Sequence, residues 1–168
     1  MVFLALGSNI NPRKDYLKKA ILLIEAEVGK AVTKSYVYET KSWGYDDNDY
    51  LNMVISVKTE LSPQKLLSKT KNIEKQLGRK SKSTLNISGK PQYEKREIDI
   101  DILLYDKITV CAKNLTIPHP LLHERNFVLA PLNDIAPDLI HQIYNKTITE
   151  LYKECEDNTK IVKTDILL

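Results

Sequence analysis

The chain has 168 residues, 42% hydrophobic and 28% charged, with a formal net charge of +3. That balance belongs to a folded globular chain and excludes a disordered or fibrous one. No apolar run reaches the roughly 20 residues of a membrane-spanning helix, the N-terminus lacks the pattern of a signal peptide, and Cys111 and Cys155 make neither a disulfide framework nor a CxxC metal motif. A single cytoplasmic domain over residues 1–168, with no membrane partner, is the expectation. Lysine supplies most of the positive charge; the arginines are Arg13, Arg79, Arg96 and Arg125. Each invites the question of whether a planar, bidentate donor is needed there, although any one alone is equally well read as solvated surface charge.

In chain order, Val2–Leu6 reads as a buried strand running into the turn Gly7-Ser8-Asn9. Pro12 opens a helix with apolar positions Leu17, Ala20, Ile21, Ile24 and Val28, closed by Gly29. Val32–Thr40 reads as one strand, followed by a polar loop containing Trp43-Gly44. Tyr50–Thr59 alternates cleanly, with Leu51, Met53, Ile55 and Val57 on one face and Tyr50, Asn52, Val54 and Ser56 on the other. Ser62-Pro63 starts a second helix with a stripe of Leu66, Thr70, Ile73 and Leu77 up to Gly78. Residues 80–95, with Lys80, Lys82, Lys90 and Lys95 and no periodicity, read as a long loop of functional type. A strand follows over 96–105, then short strands near Ile108–Val110 and Leu115–Ile117, the Pro118-His119-Pro120 loop, and a mostly helical end with a helix at about Thr147–Glu154. Strand, helix, strand, strand, helix, strand is the split βαβ order. It predicts an α+β ferredoxin-like sandwich: a mainly antiparallel sheet, helices packed on one face, and a helical C-terminal extension.

The strongest chemical signal is Ile98-Asp99-Ile100-Asp101-Ile102. On a strand the isoleucines face the core, and both aspartates project together from the opposite face. Such a pair repels itself unless a cation neutralises it, and hard oxygen ligands suit Mg²⁺ with phosphate oxygens completing the shell. Alternation alone also accounts for the motif as a half-buried strand with a solvated acidic face, and by itself that plainer account is preferred. Arg96, three residues upstream, and Arg79, across the loop, shift the balance toward phosphoryl transfer, where positioning and charge neutralisation do most of the work. No GxxxxGK[ST] occurs, which excludes a P-loop. Tyr50 and Asn52 pair a stacking ring with an amide able to read a flat heterocycle, or else simply line a half-buried sheet. His119, between two prolines, suits a positioned polar group, although a lone histidine is more often structural. His119, His123 and His141 with two cysteines do not form a convincing zinc set.

Taken together, Leu6-Gly7-Ser8-Asn9, Tyr38-Glu39-Thr40, Tyr50-Leu51-Asn52, Glu74 with Gly78-Arg79, Arg96 through Leu103, and Ile117-Pro118-His119-Pro120 with Arg125-Asn126-Phe127-Val128-Leu129 resemble the 6-hydroxymethyl-7,8-dihydropterin pyrophosphokinase family from residue 2 to about Pro137. The resemblance implies transfer of the β,γ-pyrophosphate of ATP to a reduced pterin's hydroxymethyl group, with AMP released, two Mg²⁺ ions, and a place in folate biosynthesis. It implies that Asp99 and Asp101 hold the metals and that Arg79 and Arg96 grip the phosphates as the 80–95 loop closes. Glu74, His119 and Arg125 match ATP-site positions, and Ile102, Leu115 and Thr116 would lie near the adenosine. Tyr50 and Phe127 would sandwich the pterin, with Asn52 and the backbone around Thr40 and Trp43 reading its edge. The resemblance also allows a neighbouring folate-pathway enzyme as a partner. Two departures stand out: Thr40-Lys41-Ser42-Trp43-Gly44 lacks the family's proline, and the family's loop tryptophan is matched only by Tyr93.

Two rival readings use the same residues. A ferredoxin-like RNA-binding module fits the sheet order, the pI near 8.7 and the lysine-rich loop. It is opposed by the missing aromatic strand motif and by an acidic pair that repels phosphate, so no nucleic-acid partner is expected. The other rival is a metal-dependent nuclease using Asp99 and Asp101.

Overall fold

The computed structural model describes residues 1–41, 49–78 and 96–168. Its centre is set by two strands that bury both faces: β1 (Val2–Ser8) and β4 (Tyr50–Lys58), paired antiparallel with Gly7 opposite Asn52. β5 (Asp99–Tyr105) lies on the other side of β1, with Gly7 opposite Asp99. Helices α1 (Arg13–Glu27) and α2 (Pro63–Gln76) cover one face. Leu17, Ala20, Ile21 and Ile24 of α1 and Leu66 and Ile73 of α2 pack there with Leu51, Met53, Ile55, Val57, Ile98, Ile100 and Ile102, the faces that the two-residue and 3.6-residue periods predict. Gly29 turns the chain from α1 against β4, where an added Cβ would sit 2.1 Å from the Lys58 carbonyl oxygen.

The second face is covered too, which corrects the one-sided helical layer expected from the βαβ order. α3 (Asn126–Ile135) and α4 (Ile148–Glu154) enclose a second cluster with Phe3, Val54, Leu103 and Leu104. Two successive leucines reach it because β5 bulges. Phe3 stands opposite Leu104 and Leu4 opposite Ile102, so Leu103 is the extra residue. A bulge puts two neighbouring side chains on one side of the strand, which is why the apolar run there breaks strict alternation. The α3–α4 layer covers only the Phe3–Val54–Leu103 end of this face; the other end carries Asp99, Asp101, Gly7 and Asn52.

The segment Val32–Thr40 is not one strand. β2 (Lys30–Lys34) and β3 (Tyr38–Thr40) both pair with β4, along the same edge. Between them the Ser35 hydroxyl accepts the Val54 N–H at 2.9 Å in place of a backbone carbonyl, and the ladder is interrupted. The C-terminal extension is helical only in part. Beyond the β6–β7 hairpin (Val110–Ala112, Leu115–Ile117) come α3, a β8–β9 hairpin (Ile140–His141, Lys146–Thr147), α4, and β10 (Ile161–Lys163), which rejoins the main sheet beside β3. α4 begins with the reciprocal Thr147–Glu150 capping box. Among the described residues no helix is long and apolar enough to cross a membrane.

Candidate active site

Strand β5 positions the acidic pair. Asp99 and Asp101 share the face opposite Ile100 and Ile102, and both are half-buried. Arg96 Nη1 lies 2.5 Å from Asp99 Oδ2, an ion pair largely shielded from solvent. Burial opposes the Arg96 charge, but the Asp99 carboxylate, helped by Tyr50 and Asp101, outweighs it and raises the guanidinium pKa. The arginine thus sits as a cation against the carboxylate that the family resemblance implies for a metal.

Two further side chains fix this strand. Asn9, almost fully buried, donates its N–H to the Arg96 carbonyl at 3.2 Å and accepts the Arg96 N–H on Oδ1 at 2.7 Å. It therefore satisfies both backbone groups of the residue from which the guanidinium projects. Glu74, on the last turn of α2 and 5% exposed, accepts the Ile100 N–H on Oε1 at 2.8 Å. Among the described residues β5 is the outer strand here, no strand receives the Ile100 amide, and Glu74 supplies the acceptor.

His119 lies beside the pair on the loop after β7, its backbone N–H donating to the Leu103 carbonyl at 2.8 Å. Burial, reinforced by the Arg125 charge and opposed by Asp99, pulls the imidazole down to about 4. Its Nδ1 accepts the Leu121 N–H at 3.2 Å, so the neutral ring carries its proton on Nε2 and acts as a donor there. Arg125 lies 5.7 Å over the Phe127 ring, which joins the edge of the second cluster.

Across the sheet, Gly7 stands in register between Asn52 and Asp99. A Cβ at Gly7 would meet Asn52 Oδ1 at 3.0 Å and Tyr50 Cδ1 at 4.0 Å. Glycine leaves the floor open between an amide and a carboxylate two strands apart, roughly 10 Å at ordinary strand spacing. Asn52 Nδ2 donates to Thr40 Oγ1 at 2.8 Å, which fixes the amide's orientation. Arg13 is a staple: Nη1 meets Glu39 Oε1 at 2.7 Å and the Asp49 carbonyl at 2.5 Å.

The expected residues are therefore gathered in two groups. Arg96, Asp99, Asp101, His119 and Arg125 cluster at β5, and Tyr50, Asn52 and Thr40 lie across Gly7. Ile102 and Leu115 belong to the core on the α1–α2 side, behind the acidic face rather than beside it, and Thr116 is half-buried next to Leu115. Trp43, Arg79, Tyr93 and the 80–95 loop lie outside the described residues. The roles of Asn9 and Gly7 depend on pairing with strands far away in sequence, which the local sequence does not show. Glu74 matches by resemblance, and a charged residue beside Ile73 on the helix stripe is itself a signal.

The donor set suits a hard divalent cation: two carboxylates from one rigid strand face, now balanced by a guanidinium. No group of three His, Cys, Asp or Glu side chains able to hold a metal occurs among the described residues, so phosphate oxygens and water would have to complete its shell.

Comparisons with known proteins bear on the family and the fold. The sequence model of the family described as 7,8-dihydro-6-hydroxymethylpterin-pyrophosphokinase (HPPK) matches residues 3–137. The 2-amino-4-hydroxy-6-hydroxymethyldihydropteridine pyrophosphokinase of Aquifex aeolicus is 43% identical over 156 residues, 91% of each chain. The Bacillus subtilis protein of the same name is 41% identical over 138 residues, 81% of this chain and 78% of its own. A crystal structure of Plasmodium falciparum HPPK-DHPS superposes with a TM-score of 0.70 at 22% identity, which speaks for the fold alone; it covers 91% of this chain and 43% of that one. This chain thus spans less than half of that longer protein.

Proposed function

The chain belongs to the 7,8-dihydro-6-hydroxymethylpterin-pyrophosphokinase family and is an ATP-dependent pyrophosphokinase of folate synthesis acting on hydroxymethyldihydropterin, and we propose that it works on the open sheet face between Asn52 and Asp101. The observation that carries this assignment is the register of Asn52, Gly7 and Asp99. A heterocycle-reading amide and a phosphate-side carboxylate share one face, with only glycine between them.

In this reading Asn52 and the backbone near Thr40 and Trp43 read the pterin edge, while Tyr50 and Phe127 hold the ring by its faces. Asp99 and Asp101 would hold two Mg²⁺ ions, whose charge would neutralise the phosphate oxygens of ATP. Arg79, Arg96 and Arg125 bind phosphate, and His119 offers Nε2–H as a neutral donor. Glu74 holds the acidic strand from behind, and the adenosine passes around the outer edge of β5 to reach Ile102 and Leu115 on its core side, with Thr116 beside them. The pterin hydroxyl oxygen bonds to the β-phosphorus as the bond from that phosphorus to the AMP oxygen breaks. Arg96, already beside Asp99, meets the charge that builds on the transferring group. A hydroxyl proton is released, and no side chain is assigned to take it.

The reading covers residues 1–168 as one domain in the cytoplasm. Chains in which HPPK and DHPS are joined support a second folate-pathway enzyme as a neighbour. The test is product identity. With ATP, Mg²⁺ and 6-hydroxymethyl-7,8-dihydropterin, pterin-dependent AMP should accumulate without ADP. ADP as the product, or ATP turnover indifferent to pterin, would overturn the assignment.

A further inference from the structure

The segment after α4 lies beyond the 3–137 span that the family's sequence model matches, yet it is hydrogen bonded to two elements of the site. α3 receives no side-chain cap from Arg125, the residue that precedes it. Its first amide, Asn126 N–H, instead donates to Asp157 Oδ2 at 2.9 Å, and Asn126 Nδ2 donates to the Thr159 carbonyl at 3.4 Å. Asp157 is itself held, because Oδ1 accepts the Thr159 N–H at 3.0 Å and the Thr159 hydroxyl at 2.5 Å. Burial works against its charge, but these bonds more than compensate and lower its pKa. A few residues on, Ile161 pairs with Thr40 in the sheet, and Thr164 donates both its N–H and its hydroxyl to the Val37 carbonyl at 2.9 Å.

One short stretch therefore joins the first turn of α3, which carries Phe127, to β3, which carries Thr40, the partner of the Asn52 amide. We propose that Asp157 is a positioning residue for pterin binding: by capping α3 from a distance it holds the Phe127 ring at a fixed place relative to the Thr40–Asn52 wall. The inference rests on the pterin pocket proposed above. Its physical basis is pre-organisation. An uncapped first turn frays, and a pocket wall that is correctly placed only part of the time lowers apparent affinity by that fraction.

The test uses the full chain and titrates 6-hydroxymethylpterin with and without a non-hydrolysable ATP analogue, and the analogue with Mg²⁺ separately. Asp157→Ala should raise the pterin Kd about fivefold, the scale of one lost cap, and change the nucleotide Kd less than about twofold. Asp157→Asn replaces one of the two acceptor oxygens by an NH2 donor, which then opposes the Asn126 or the Thr159 N–H, so it should also weaken pterin binding, and by no more than Asp157→Ala. A lower Tm for Asp157→Ala with pterin affinity intact would make the cap merely structural and overturn the inference, as would equal losses for both ligands. Phe127→Ala separates the two readings. If it leaves pterin binding intact, the pocket assignment falls and this inference with it. If it weakens pterin binding while Asp157→Ala does not, only the positioning role falls.

Discussion

Replacing Glu74 by leucine tests whether the acidic strand is held from behind. The two side chains are close in size, so the change mainly removes an acceptor. The Ile100 N–H, bonded to Glu74 Oε1 at 2.8 Å, would then face an apolar group at a buried sheet edge. An unsatisfied buried amide costs about 1–3 kcal/mol, partly offset because a carboxylate no longer has to be kept out of water. A net loss of about 1–2 kcal/mol corresponds to a fall in Tm of roughly 2–8 °C for a chain of this size. The catalytic effect should be larger than the loss of stability implies, because Ile100 lies between Asp99 and Asp101. A displacement of about 1 Å at a reacting centre can cost as much as 10²-fold in rate. Glu74→Gln keeps an oxygen at the same reach and should recover both stability and kcat. Urea midpoints and the rate of AMP formation measure the two effects. Leucine at this position with unchanged midpoint and unchanged kcat would refute the bracing argument. If Glu74→Gln instead loses as much nucleotide affinity as Glu74→Leu, the carboxylate acts on the nucleotide itself.

Asp99→Ala and Asp101→Ala should each lower kcat by roughly 10²–10³, the scale of deleting one preorganised charge, with the circular dichroism spectrum unchanged; near-normal turnover at saturating Mg²⁺ would remove both from the metal site. Tyr50→Ala should weaken pterin binding several-fold, since ring stacking contributes about 0.5–1.5 kcal/mol beyond area burial, and calorimetry should show a smaller change for the ATP analogue. His119, pulled from 6.5 to about 4, binds its proton in the unfolded chain before the folded one, so the stability it permits above pH 6.5 is lost as pH falls toward 4. After allowance for partial solvation the loss at pH 5 should be about 1–2 kcal/mol, and the urea midpoint of His119→Asn should fall correspondingly less between pH 7 and pH 5.

The parts of the site that were legible in the sequence share a short repeat. Asp99 with Asp101, and Tyr50 with Asn52, announce a common face because strand side chains alternate every second residue, and the structure places them so. The paired helices were legible for the same reason: Leu17 through Ile24 and Leu66 through Ile73 follow the helical period. What was hidden depends on which distant segments meet. Leu103 and Leu104 share a face only because β5 bulges against Phe3, and Ser35 ends a strand only because its hydroxyl reaches Val54. Asn9 acts on Arg96 across 87 residues, Glu74 on Ile100 across 26, and Asp157 on Asn126 across 31. All three do the same physical job: a side-chain oxygen accepts a backbone N–H where a strand or helix runs out of its own partners. Two of these amides, those of Arg96 and Ile100, lie at or next to the acidic strand, and the third opens the helix that carries Phe127. The residues proposed to do the chemistry therefore stand where regular secondary structure leaves the backbone incomplete. Their placement depends on polar side chains whose backbone partners lie 26 to 87 residues away, and no local pattern in the chain names those partners.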